Sequence, residues 1–129
     1  MRHVLFLVLA LALGALPAKV HAASTGIEGA WSGSGIAKIR HRTDRIVCRV
    51  NFDKIAQTTY RLSARCSAGE RSYDQTGRVS RVSANRYRGY VYNAQFNDRG
   101  NVSLSQSGSR LTVSVSGGRG TANLTLSRR

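Results

Sequence analysis

Proline is almost absent from this chain: of 129 residues only Pro17 is one. Cysteine is limited to Cys48 and Cys66, tryptophan to Trp31, acidic residues to six and histidine to three. Each scarcity removes a class of chemistry. Beyond residue 22 the only histidine is His41, and one imidazole with two thiols falls short of the roughly four ligands a structural zinc site takes. His41 lies between Arg40 and Arg42, where a solvated ring is the ordinary state, and no nucleophile-elbow pattern supplies it with a serine. Gly33-Ser34-Gly35 falls in strand-like sequence with no helix after it, so it is not a phosphate-cradling turn. Glu28, Asp44, Asp53, Glu70, Asp74 and Asp98 are scattered over expected strand ends and loops. No acid/base constellation emerges from them, and the chain reads as non-enzymatic, without metal or cofactor.

Long apolar runs are limited to one. Residues 4–16 form a 13-residue apolar stretch, too short to span a bilayer as a helix. It follows the basic start Met1-Arg2-His3 and is broken by Pro17, and Val20-His21-Ala22 has the form of a cleavage site. The expectation is a secretory signal peptide over residues 1–22, cleaved after Ala22. Residues 23–129 then form one exported domain of 107 residues, periplasmic or secreted, in a compartment that permits disulfides.

Charge is lopsided. The chain carries 20 Lys and Arg against 6 Asp and Glu. Removing Arg2 and Lys19 with the leader leaves 18 cations and 6 acids, a net +12, and only Lys38 and Lys54 of those cations are lysine. Arginine grips carboxylate and phosphate through a planar fork, whereas lysine acts as a point charge. An Arg-rich exported surface suits anionic polysaccharide, lipid headgroups or an acidic protein. The competing reading is that the charge only keeps the protein soluble.

What the chain has in quantity is period-two alternation between turn residues. In 110–116, Leu111, Val113 and Val115 alternate with Thr112, Ser114 and Ser116. Gly117-Gly118 then turns the chain into a run where Ala122, Leu124 and Leu126 alternate with polar residues. Similar runs lie at 30–39, 45–53, 58–66, 72–80, 86–93 and 99–105. Eight short strands in series predict an all-β fold, a small antiparallel meander barrel, with a β-sandwich as the alternative. Closure favours the barrel because it leaves no free edge.

The cysteines set a register. A hairpin centred on Gln57 places Cys48 opposite Cys66, Val50 opposite Ala64 and Phe52 opposite Leu62. Directly opposed residues are close enough for a disulfide, so Cys48–Cys66 is the expected staple. On the outer face the same register sets Asp53 against Arg61 and Arg49 against Arg65. Like charges directly opposed are unfavourable, so Arg49 and Arg65, with Arg45 nearby, form one candidate anion site. A second candidate is 86–92. If Tyr87, Gly89 and Val91 point inward, Arg86, Arg88, Tyr90 and Tyr92 make an exposed stripe that can pair with anions and stack on sugars. The absence of any RNA- or DNA-binding motif disfavours nucleic acid.

Trp31 stands in Gly29-Ala30-Trp31-Ser32-Gly33-Ser34-Gly35 and reads as a core plug at one barrel end. This Gly-x-Trp opening, with the single cysteine pair, resembles calycin-type barrels: lipocalins, avidins and small periplasmic metalloprotease inhibitors. The Trp-Ser-Gly-Ser-Gly opening also resembles small uncharacterised exported bacterial proteins. The resemblance implies a ligand-binding or inhibitory barrel. The inhibitors act through a protruding N-terminal segment, for which only residues 23–28 are available here, and the several tryptophans of avidin are missing. An outer-membrane barrel is disfavoured by short strands, missing aromatic girdles and the terminal Arg128-Arg129. The expected function is an exported, non-enzymatic binding protein of the bacterial envelope that recognises an anionic component through its Arg/Tyr-rich surface: lipopolysaccharide, another anionic polysaccharide or lipid headgroup, or an acidic envelope protein. The alternatives are a protease inhibitor and a structural envelope component.

Overall fold

Apolar and polar side chains alternate through every element, and the backbone answers with extended strands. The computed structural model describes residues 26–129 and the single residue Gly14; the expected leader, residues 1–22, otherwise lies outside the described residues. The strands are β1 (Gly29–Ile39), β2 (Arg42–Lys54), β3 (Thr59–Ala68), β4 (Arg71–Ser83), β5 (Arg86–Asn93), β6 (Asp98–Ser107), β7 (Arg110–Gly117) and β8 (Gly120–Arg128). Each pairs antiparallel with its neighbour in sequence, and β1 pairs with β8 to close the barrel. The fold is therefore the expected meander barrel, not a sandwich. No described helix is long and apolar enough to cross a membrane.

The strands run further than the alternation alone marks. β2 starts at Arg42 where the pattern suggests 45, and β4 runs from Arg71 to Ser83 against an expected 72–80. The reason is positional. Arg42, Asp44 and Arg71 fall on inward register positions at an open barrel end, where charge stays hydrated and does not break the strand. The last turn also shifts by one residue. Gly117 still pairs with Gly120, and Gly118-Arg119 forms the loop.

Cys48 and Cys66 face each other across β2 and β3 with Cα atoms 4.1 Å apart and are disulfide-bonded, in the register the hairpin predicts.

On β3, β7 and β8 the inward side chains shrink from one end of the barrel to the other. At one end sit Trp31, Phe52, Tyr60 and Tyr87, all buried. Residues 26–28 lie across this end as a strap. The Trp31 indole N–H donates to the Ile27 carbonyl at 2.8 Å. Tyr60 and Tyr87 meet edge to face at 5.8 Å, and the Arg81 guanidinium donates to the Tyr87 hydroxyl at 2.9 Å. Burial, reinforced by Tyr87, raises the Tyr60 hydroxyl above its ordinary pKa, against the pull of Arg81.

Curvature comes from glycines at two corners. A Cβ on Gly33 would stand 1.9 Å from the Thr125 carbonyl oxygen of β8, and one on Gly89 would stand 1.8 Å from the Arg78 carbonyl oxygen of β4. Only a residue without Cβ lets these strands bend so closely over their neighbours.

Candidate functional site

At the end opposite Trp31 the inward positions carry small residues: Ala37, Ala68, Gly100, Gly117 and Ala122. The closed end is filled by aromatics, and this end is left hollow. The result is an open cup of about 310 Å³. Its floor is apolar, made chiefly by Ile46, Cys66, Val91, Val115 and Leu124. The disulfide sits at the floor, since Cys66 lines the cup and Cys48 lines a smaller void of about 40 Å³ beneath it.

The rim is polar and carries charge of both signs. Arg42 pairs with Asp44 at 3.2 Å, and Arg119 approaches Asp98 at 3.9 Å. Arg71 also stands on the rim, and among the described residues no carboxylate pairs with it. Phe96 overhangs the mouth from the 94–97 loop. Its ring lies 5.5 Å from Tyr73, with the Arg119 guanidinium 5.1 Å from its centroid. The loop is pinned rather than loose. The Phe96 N–H donates to the buried Asn93 side chain at 3.2 Å, and the Tyr92 hydroxyl donates to the Asn97 side chain at 2.9 Å. The geometry can do three things: exclude water from an apolar group, stack an aromatic edge against it, and offer a guanidinium to an anionic head.

The sequence-predicted surface residues lie elsewhere, on the outer wall. Arg49 faces Arg65 in the expected register, but Asp74 of β4 takes the Arg65 guanidinium in a two-pronged bond at 2.9 and 3.2 Å. That bond holds the Asp74 carboxyl below its usual range and raises Arg65. Arg45 lies beyond the end of β3 pairing, opposite Ile36 of β1. In β5, Tyr87 and Val91 are buried, so Arg86, Arg88, Tyr90 and Tyr92 do take the outer face. Tyr90 carries the Arg99 guanidinium 4.1 Å above its ring, and Arg78 stands opposite it on β4. Arg78 in turn opposes Arg61 on β3. Alternation within β5 does not reveal Arg61, Arg78 or Arg99, because their convergence depends on the β3–β4 and β5–β6 registers.

The cup is the other feature absent from the predicted site residues. Its sequence signal is the drift along the inward positions of β3, β7 and β8 from tyrosine or leucine to alanine and glycine. That drift becomes readable only once the strand order fixes which ends meet.

No protein-family model and no curated protein matches the sequence. Solved structures do match the fold. The redesigned β-barrel mFAP1, bound to DFHBI, superposes with a TM-score of 0.70 at 12% identity, covering 78% of this chain and 94% of that one. A de novo designed fluorescence-activating β-barrel gives 0.66 at 15% identity, covering 85% and 99%. Rv2717c from M. tuberculosis gives 0.59 at 12% identity, covering 79% and 92%. At such identities the similarity establishes the small eight-stranded barrel and nothing finer. That fold agrees with the one implied by the calycin resemblance.

Proposed function

We propose that this protein is an exported, non-enzymatic binding barrel whose open cup holds a small amphipathic anion. The observation that carries the reading is the cup itself: an apolar floor under a rim bearing Arg42, Arg71 and Arg119. Its volume of about 310 Å³ suits a small molecule or the end of an acyl chain rather than a polymer. Ligand pockets of this kind are mostly apolar with a few placed polar groups. The apolar part of the ligand rests on Val91, Val115 and Leu124, and its acidic head meets Arg71, the rim cation without a carboxylate partner. The barrel mFAP1, of the same fold, is bound to DFHBI, which supports a small-molecule role for a barrel of this size. An inhibitor acting through a protruding N-terminal segment is less well supported, because the Gly26 and Glu28 carbonyls accept bonds from Arg128.

The test is fluorescence titration with 8-anilinonaphthalene-1-sulfonate, followed by displacement with dodecanoate and with dodecanol. Saturable binding of one probe per chain is expected, with dodecanoate displacing it better than dodecanol. Val115→Trp fills the cup and should abolish the signal, with Ala122→Phe as a second filling variant and circular dichroism to confirm folding. Arg71→Gln should remove the preference for dodecanoate. Unchanged probe binding in both folded filling variants would sink the reading.

A further inference from the structure

The outer wall is divided into two unlike halves. On β2 to β6 the outward positions include Arg45, Arg49, Arg61, Arg65, Arg78, Arg86, Arg88 and Arg99, against the acids Asp53 and Asp74. On β7, β8 and β1 the outward positions are nearly all uncharged, such as Thr112, Ser114, Asn123, Thr125, Ser32 and Ser34. The only outward cations there are Lys38 and, at the start of β7, Arg110. Charge that served solubility alone has no reason to gather on one side. Concentrated charge also costs stability through self-repulsion, so its placement calls for a counter-ion.

The centre of the basic half is a row crossing the strands. Arg61 opposes Arg78, Arg78 opposes Tyr90, and Tyr90 opposes Asn101. Arg88 follows one outward position before Tyr90, and Arg99 stacks on the Tyr90 ring at 4.1 Å. Among the described residues none of these four arginines forms an ion pair, although Asp53 of β2 stands opposite Arg61; the ion pairs use Arg42, Arg65 and Arg119. Stacking on Tyr90 fixes the plane of Arg99 while leaving its N–H edge free, which lowers the ordering cost of gripping an anion.

We propose that this outward face of β3 to β6 binds a linear carboxylated polysaccharide, its successive carboxylates paired with Arg61, Arg78, Arg88 and Arg99. Three features favour that partner. Neighbouring strands stand about 4.8 Å apart, comparable to the length of one pyranose ring, so a chain lying along the row meets Arg61, Arg78 and the Arg99 guanidinium over Tyr90 at successive strands, with Arg88 one outward position to the side. The side chains between the arginines are Ser63, Thr76, Ser80, Asn101 and Ser103, donors and acceptors that match sugar hydroxyls. None of these five is apolar, and the exposed apolar side chains of these strands, Val82 near the end of β4 and Tyr92 on β5, do not form a continuous patch with them. Nor is the Tyr90 ring open to base stacking on the side Arg99 covers. This surface is separate from the cup and does not depend on it.

The test is fluorescence anisotropy with labelled alginate oligomers, at low and physiological salt. The full mature chain is compared with Arg61→Gln/Arg78→Gln, with Arg88→Gln/Arg99→Gln, and with Lys38→Gln/Arg110→Gln. The last removes the same formal charge from the neutral half. Each basic-face variant should lose about tenfold or more in affinity, while the neutral-half variant changes little. Binding of anilinonaphthalene sulfonate in the cup should persist in Arg61→Gln/Arg78→Gln. Equal losses in all three variants would reduce the effect to net charge and overturn the proposal. Tighter binding of poly(dT) or of phosphatidylglycerol vesicles than of alginate, lost in the same variants, would overturn the polysaccharide assignment.

Discussion

The guanidinium of Arg128 lies 4.4 Å over the ring of Trp31 and donates to the carbonyls of Gly26 and Glu28. One residue near the end of β8 thereby ties the strap of residues 26–28 to the plug of the closed end. Arg128→Met keeps an aliphatic stem over the indole but removes both donors. The Gly26 carbonyl keeps the Gln106 amide as a donor and the Glu28 carbonyl is open to water, so the loss should be about 1 kcal/mol. Urea unfolding followed by Trp31 fluorescence measures this directly, since Trp31 is the only tryptophan. A midpoint unchanged from wild type would mean that the strap holds without Arg128.

The barrel's curvature makes a sharper prediction. Gly33→Ala would drive a methyl group into the Thr125 backbone, with only 1.9 Å available. Because the obstacle is backbone, no side-chain rotation relieves it, and β1 must part from β8. Failure to fold, or a loss of about 3 kcal/mol or more, is expected. Gly118→Ala is the control, since no atom lies within 4 Å of the added carbon. That variant should unfold within about 0.5 kcal/mol of wild type, as surface changes usually do.

The disulfide spans a sequence separation of 18. Constraining a loop of that size in the unfolded chain is worth about 3 kcal/mol in the loop-entropy account. Cys48→Ala/Cys66→Ala should lower stability by about that amount while keeping the barrel, because the hairpin register is also held by Phe52 opposite Leu62 and Val50 opposite Ala64. Cys66 lines the cup, so the double variant should also weaken anilinonaphthalene sulfonate binding modestly. Intact mass under non-reducing conditions checks the premise, and two free thiols in the wild-type protein would contradict it.

The strands and the β2–β3 register are legible in the sequence because both rest on local information. Alternation needs only neighbours along the chain, and Cys48 with Cys66 marks one pairing covalently. The outer position of Arg86, Arg88, Tyr90 and Tyr92 is legible as one of two options, and the burial of Tyr87 and Val91 decides it. Less can be read where distant strands meet. The bond from Arg65 to Asp74 and the opposition of Arg61 to Arg78 depend on the β3–β4 register, which no cysteine marks. The role of Gly33 depends on its pairing with β8, at the far end of the chain. The cup is hidden for the same reason, being built from small residues at the ends of strands that only closure brings together.

The Arg65–Asp74 bond couples the wall to pH. Hydrogen bonding to Arg65 is the main cause of the depressed Asp74 pKa. A carboxyl depressed in the folded state stabilises the fold above its unfolded pKa, near 3.8, and that contribution is lost as pH falls through the lower folded value. Both side chains are well exposed, so the contribution is small and is best followed at the carboxyl itself. Carbon-detected NMR titration should find Asp74 titrating below the ordinary range in wild type and returning toward it in Arg65→Gln. Titration at the same pH in both proteins would show that the bond does not persist in solution. Asp74→Asn provides the complementary result. It frees the Arg65 guanidinium opposite Arg49 and extends the unpaired basic face toward β2. Alginate affinity should therefore rise in Asp74→Asn and rise further at low salt, where screening is weakest.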